Sequence, residues 1–255
     1  MLNRLNSLGR LMNVARNWPT VVKRKLGARQ NDPCVVELRE GLRVQLRAGM
    51  KDWFVFNEIF LRRVYQIAVE HIEKAPPGSV VLDCGGNMGY FSLQAAAANR
   101  SVRVRTFEPG PPHAAIIRWH IENNGEIGSR IELSPVAVGG DDETLRWNMD
   151  ETNPGGSSIG RDPGRGLEVI VRRFASVIAE TSGPIALAKI DIEGSEHDLV
   201  RKTPPEAWTK VDAVLIEVHD DPSGISAPLD VVNSLRTHGY VVRELDPTLF
   251  FLRRE

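Results

Sequence analysis

Cysteine is scarce in this 255-residue chain: Cys34 and Cys84 stand far apart, in neither a paired nor a metal-ligating spacing. That argues against a disulfide scaffold or a cysteine zinc site and suits a reducing compartment. No apolar run approaches the roughly 20 residues needed to span a bilayer, and the start lacks the compact apolar core of a signal peptide. A cytoplasmic location is the expectation. No internal repeat is present. Net charge is almost absent, −1 at neutral pH, so there is no global electrostatic case for nucleic-acid binding. With 42% hydrophobic and 25% charged residues, the chain has the composition of globular material and the length for one sizeable α/β core.

One absence is local. Residues 1–30 hold no acidic side chain but carry Arg4, Arg10, Arg16, Lys23, Arg24, Lys25 and Arg29. Leu2, Leu5, Leu8, Leu11, Met12 and Ala15 recur near helical spacing, which predicts a basic amphipathic helix. Such a helix can dock on an anionic membrane surface or an acidic partner, making the protein peripheral to a membrane. Alternatively it packs on the domain and leaves its charges in water. Trp18-Pro19 is expected to break the pattern. Alternation in Cys34–Leu38 and Leu42–Arg47 about Glu40-Gly41 predicts a hairpin. Residues 1–48 therefore read as a helical extension plus hairpin, and residues 49–255 as the main domain. Within the latter, Asp52–Tyr65 predicts a helix with a large apolar face and Asp52 at or near its amino cap.

The chemistry centres on residues 80–93. A buried strand, Val80 to Leu82, ends in the acidic Asp83. A turn with Gly85, Gly86 and Gly89 follows, then a helix from near Tyr90 through Ala98. In open parallel sheets ligands bind beyond the carboxyl ends of the strands, and the first strand-to-helix turn is the usual seat. Asp83 suits an amine or hydroxyl better than a pyrophosphate. A second strand, Val102–Phe107, ends in Glu108-Pro109, about 20 residues on, where an acidic residue commonly binds both ribose hydroxyls of an adenosine ligand. That spacing alone also fits a dinucleotide dehydrogenase. Gly85-Gly86-Asn87-Met88-Gly89 does not spell G-x-G-x-x-G, however, and Asp83 would crowd a pyrophosphate. Adenosine joined to a cationic sulfonium and an amino acid matches the acidic pocket better.

Further along, Ile131–Val138 reads as a third strand that Pro135 forces out of the sheet. Asn123-Asn124 reads as a plain helix terminus. Residues 140–168 read as an insertion with a strand at Glu143–Asn148, a polar loop around Ser157 and Ser158, and a lid-like Gly160–Gly166. A strand from Ile185 to Ile190 delivers Lys189, Asp191 and Glu193 to the carboxyl edge of the sheet, and strict alternation would place all three on one side. The alternative is a structural Lys–Asp pair fixing the strand end. The next strand, from Ala213, ends in Glu217 and His219. A helix over Leu229–Thr237 and an antiparallel pair, Tyr240–Glu244 with Leu249–Leu252, close the fold.

Taken together, Leu82-Asp-Cys-Gly-Gly-Asn-Met-Gly-Tyr-Phe-Ser92, Thr106-Phe-Glu-Pro109, Pro135-Val-Ala-Val-Gly139, Gly155-Gly-Ser-Ser158 and Lys189-Ile-Asp-Ile-Glu-Gly-Ser-Glu196 resemble the FkbM family of S-adenosylmethionine-dependent methyltransferases. The likeness runs from about residue 45 to the end and departs at Gly86, where the family more often has Ala. It implies a Rossmann-like class I methyltransferase sheet with helices on both faces and the last strand antiparallel. Asp83, Gly85, Asn87 and Gly89 would then meet the methionine end of the cofactor, Glu108 with Pro109 the ribose, and Ala137 the adenine side. Ser158 and Asp191 would lie near the sulfur. The expected reaction is transfer of a methyl group to a hydroxyl of a sugar, glycan or natural product. His219, Asp191 and Glu193 are the candidate bases, with Lys189 beside them. A Mg²⁺ ion held by Asp191, Glu193 and Glu217 or His219 is a further expectation. A NAD-binding oxidoreductase and a non-catalytic docking protein are the competing readings.

Overall fold

The computed structural model describes residues 2–26, 33–47, 52–148, 158–160, 167–221 and 224–254. Two helices, α1 (Leu2–Val14) and α2 (Trp18–Leu26), precede a hairpin, β1 (Cys34–Glu37) and β2 (Arg43–Leu46). Next come α3 (Asp52–Phe56), a π-helical segment Asn57–Arg62, and α4 (Gln66–Glu73). The central part runs β3 (Val80–Cys84), α5 (Tyr90–Ala98), β4 (Arg103–Phe107), α6 (Pro111–Asn123), α7 (Gly125–Gly128) and β5 (Ile131–Ser134). After it lie β6 (Ala137–Gly139), β7 (Glu143–Asn148), β8 (Ser158–Gly160), β9 (Leu167–Arg173) and α8 (Phe174–Glu180). The chain ends with β10 (Ile185–Ile190), α9 (Glu196–Lys202), α10 (Pro205–Trp208), β11 (Val211–Glu217), α11 (Pro228–Thr237), β12 (Tyr240–Glu244) and β13 (Leu249–Arg254).

Seven strands form the main sheet in the order β12-β13-β11-β10-β3-β4-β5, parallel except for β13, which runs antiparallel to both neighbours. This is the class I methyltransferase arrangement expected from the sequence. Every residue of β3 and β10 is buried, because helices cover both faces of a parallel sheet and leave no solvent side to pattern. The chain leaves β3 toward β4 and β5, then returns to β10 on the other side. The resulting switch point lies between β3 and β10, and in open parallel sheets ligands bind beyond the carboxyl ends of the strands at such a point.

Pro135 does end the third strand. β5 stops at Ser134, and β6 joins a separate four-stranded sheet in the order β6-β9-β7-β8. β9 was not anticipated, although Val169 and Val171 are buried around an exposed Ile170, a period-two pattern. The helix expected over Asp52–Tyr65 is instead α3 followed by the π-helical segment, closed by Arg63 at φ 55°. Ile59, Phe60 and Leu61 are all buried in succession, which a 3.6-residue turn would spread around its axis but a wider turn can turn to one side. Asp52 is the first residue of α3, at the amino end as expected. It is buried and receives the backbone N–H and guanidinium of Arg47 (2.7–3.3 Å).

The helical pattern does break ahead of Trp18-Pro19, α1 ending at Val14, and Trp18-Pro19 then starts α2, since the first turn needs no N–H from proline. Leu11, Ala15 and Val21 are buried in a cluster that also contains Val36, Leu38 and Val44 of the hairpin region and Leu93 of α5. Asn17 accepts the amide of Glu37 and donates to the carbonyl of Val35, both at 2.9 Å. The hairpin in turn reaches the glycine turn. His120 on α6 accepts the amide of Gln45 (2.9 Å) through Nε2, and its Nδ1 meets the carbonyl of Met88 (2.9 Å). Asn124, read from sequence as a plain terminus, closes α6 and also binds both backbone groups of Arg43.

Candidate active site

The turn after β3 is shaped by contact. Gly85, Asn87 and Gly89 all have positive φ, at 80°, 48° and 73°. A Cβ on Gly85 would lie 1.8 Å from the carbonyl oxygen of Asp191, so only glycine lets the turn lie against the end of β10. A Cβ on Gly86 would come 2.4 Å from the Cγ2 of Thr106. The departure from alanine here is matched to that buried threonine. The amides of Gly85 and Gly86 both bond the carbonyl of Phe107, fixing the turn beside β4.

Glu108 sits where the sequence placed it, buried at the end of β4. One carboxylate oxygen accepts the amide of Asn87 and the other that of Gly110, each at 2.8 Å, with His113 Nδ1 3.4 Å away. An oxygen holding one N–H keeps a lone pair for a ribose hydroxyl. Asp83 is fully buried. Its Oδ2 takes the hydroxyl of Ser92 (2.5 Å), which also meets Thr106 Oγ1 (2.6 Å), and Lys189 Nζ lies 3.5 Å from Oδ1. Burial pushes the Asp83 carboxyl up, with Lys189 and Ser92 acting against it. Asn87 Oδ1 is a buried oxygen with no hydrogen bond, and Asp83 Oδ1 has none either, although the Lys189 ammonium stands 3.5 Å from it. Two such acceptors beside a glycine turn fit a ligand that brings N–H donors, as the ammonium of a methionine moiety does.

On the next strand Lys189 stands in register with Asp83. Its ammonium is 3.1 Å from Asp191 and donates to the carbonyl of Gly85 (2.9 Å). Burial alone would lower its pKa, but Asp191 and Asp83 more than offset that and push it up. Lys189 is therefore a fixed cation, ion-paired with Asp191 and beside Asp83. Glu193 does not reach the site by strand alternation, because β10 ends at Ile190. It lies in the following turn at φ 55°, with its carboxylate 3.6 Å from His219 Nε2. Burial and the neighbouring Asp191 raise its pKa to about 7, and Glu217 at the end of β11 is raised to about 6 for the same two reasons. His219 moves upward to about 9, first through its 3.1 Å hydrogen bond with Glu196. A histidine so held carries a proton at neutral pH.

The structure thus gathers Asp83, Gly85, Lys189, Asp191, Glu193 and His219 at the carboxyl ends of β3, β10 and β11, with Asn87 and Gly89 in the glycine turn and Glu108 at the end of β4 beside it. Pro109 follows Glu108 and precedes α6. Ala137 opens β6, in the second sheet. Ser158 lies on β8, at the far edge of that sheet, and its side chain is outside the described residues. So are Ser157 and residues 161–166, on which the expected polar loop and lid fall. Sequence reasoning gave no role to Glu196, Ser92 or Tyr65. Glu196 ends the Asp-x-Glu-Gly-x-Glu run, and that density of acids just before a helix was its available signal. Tyr65 is pushed up by burial and by Asp191, a relation that no spacing in sequence reveals.

A sequence profile of the methyltransferase FkbM domain matches residues 83–242. The chain is 29% identical over 225 residues to a 31-O-demethyl-FK506 methyltransferase FkbM of Streptomyces tacrolimicus, covering 76% of this chain and 84% of that one. It is 24% identical over 189 residues to Methyltransferase 1 of Beauveria bassiana, covering 66% and 73%. A crystal structure of a methyltransferase FkbM from Methylobacillus flagellatus aligns with a TM-score of 0.49 at 18% identity, over 70% of this chain and 44% of that one. No described helix is long and apolar enough to cross a membrane.

Proposed function

The chain belongs to the methyltransferase FkbM domain family, and from that premise we propose that it methylates a hydroxyl oxygen of a sugar, glycan or natural product, using S-adenosylmethionine. The cofactor would supply a methyl group made electrophilic by its sulfonium. The chain's own residues would do the rest. Asp83 and Asn87 offer their Oδ1 oxygens to the ammonium, Glu108 offers its remaining lone pairs to the ribose, and the glycine turn keeps side chains out of the way. Lys189 neutralises Asp83 and Asp191 and fixes the edge against which the acceptor lies.

One observation carries the oxygen-directed reading. Glu193 is a partly exposed carboxylate with a pKa near 7, at the carboxyl end of β10 beside the glycine turn. A hydroxyl must lose its proton as it attacks a methyl group, and a base is most effective when its pKa lies near the working pH. In this reading the proton acceptor is Glu193, not His219. His219 stays protonated and steadies the charge on Glu193.

Mg²⁺ has no part in this reading. Asp191, Glu193 and His219 can bring one donor atom each within 4.8 Å of one another. One of the three donors is an imidazole nitrogen, whereas Mg²⁺ selects oxygen ligands in near-octahedral order. Dialysis against a chelator should therefore leave turnover unchanged. The functional test is to incubate the protein with S-adenosylmethionine and a panel of hydroxylated sugars and macrolides, reading S-adenosylhomocysteine release and product mass. Methylation at oxygen supports the proposal. Methylation of only amine or carbon acceptors refutes it.

A further inference from the structure

The first turn of α9 holds both groups on which the proton-transfer reading rests. Glu196 is wholly buried at its amino end. Its Oε1 accepts the amide of Ile192 (2.8 Å) and the Nδ1–H of His219 (3.1 Å), and its Oε2 accepts the amide of Gly194 (2.9 Å). Those two amides flank Glu193. Backbone donors on either side of one residue, both drawn to the same carboxylate, leave that residue to bulge away from it. Glu193 accordingly sits at φ 55°, a left-handed conformation that ordinary side chains rarely adopt. A buried carboxylate without partners would be costly; three donors answer this one.

The same carboxylate settles how His219 is oriented. An acceptor at Nδ1 keeps a proton there and turns Nε2 outward, toward Glu193 Oε2 at 3.6 Å. The neighbouring His197 holds the backbone of that residue. Its Nε2 meets the carbonyl of His219 (2.8 Å), and its Nδ1 meets the hydroxyl of Ser226 (2.9 Å). A helix start alone needs none of this reach across to the end of β11.

We propose that Glu196 is the positioning residue of this site: one buried carboxylate shapes the turn that presents Glu193 and aims His219 at it. The proposal rests on the proton-transfer reading given above. Among the described residues, the charged and titratable groups facing His219 are Asp191 and Glu193 from the turn after β10, Glu217 on β11, and Glu196 with His197 on α9.

The test is nitrogen-15 NMR of the full-length protein labelled in histidine, with His219→Asn identifying the resonances of His219. In the parent protein His219 should keep its Nδ1 proton and titrate well above a free imidazole. Glu196→Gln keeps the shape but places an N–H among three donors. It should lower the His219 proton affinity at least tenfold while S-adenosylhomocysteine affinity stays within about threefold. An unchanged His219 titration in Glu196→Gln overturns the proposal. So does a parent His219 that titrates as a free imidazole, a result that needs no variant to fold. Absence of S-adenosylhomocysteine binding by the parent protein would count against the functional reading, and the His219 titration would still judge Glu196.

Discussion

Glu193 and His219 form a pair whose proton affinities are set by their surroundings, and the signs can be worked out. Burial holds a proton on Glu193 up to about pH 7, and Glu196 holds one on His219 up to about pH 9. Turnover should rise as pH passes about 7, where Glu193 becomes a base, and fall beyond about 9, where its cationic neighbour is lost. Initial rates from about pH 5 to about pH 10 check this. A flat profile through neutrality would remove Glu193 from the role. Glu193→Gln should lower kcat by roughly 10²–10⁴ without weakening cofactor binding. Lys189 is a different case. With Asp83 fully buried and the lysine nearly so, Lys189→Met would strand two carboxylates and should destabilise the fold by about 3–5 kcal/mol. Urea denaturation measures this, and an undiminished midpoint would contradict the fixed ion pair. The residue types at the site were legible because acids at strand ends stand out in sequence. Their roles were not. Sequence offers His219, Asp191 and Glu193 alike as bases, whereas the order of their proton affinities depends on Glu196, a buried glutamate far from His219 in the chain that raises the histidine above Glu193.

At the scale of elements, the strands of the main sheet were readable to within a residue or two, except the third, which was read through Val138 and ends at Ser134. Continuous apolar runs between glycine and proline signals have few alternatives. The π-helical segment and β9 were not read, the first because three buried residues in a row fit no regular period. The coupling of the hairpin to the glycine turn was also invisible, since it depends on His120, whose pKa burial lowers to about 4. The unfolded chain takes that proton near pH 6.5. Between about 6.5 and about 4 the unfolded state thus binds more protons, and stability falls as pH drops, by at most roughly 3 kcal/mol. His120→Gln retains an acceptor for the Gln45 amide but cannot titrate. Its stability should fall less steeply than the parent's across that window. Parallel slopes in denaturant titrations would show that His120 is not buried neutral.

Across the whole molecule, the fold was legible because a central strand, a glycine turn and an acid about 20 residues later constrain one another. The attachment of the first helices was one of two readings, packing on the domain or docking on a membrane surface, and the burial of their apolar residues supports the packing. In the structure Leu11, Ala15 and Val21 lie in the core. Removing residues 1–26 should therefore destabilise the remainder by roughly 3–6 kcal/mol, the value of burying a few aliphatic side chains. Thermal denaturation that leaves Tm unchanged would contradict that packing.

The central claim is that the switch point between β3 and β10 binds S-adenosylmethionine through the glycine turn and Glu108. It is tested most directly by calorimetric titration with S-adenosylhomocysteine, with NAD as the control. The account predicts saturable one-site binding of S-adenosylhomocysteine, none of NAD, and a loss of ~1–3 kcal/mol in Glu108→Ala. Binding of NAD, or folded protein that ignores S-adenosylhomocysteine, would contradict it.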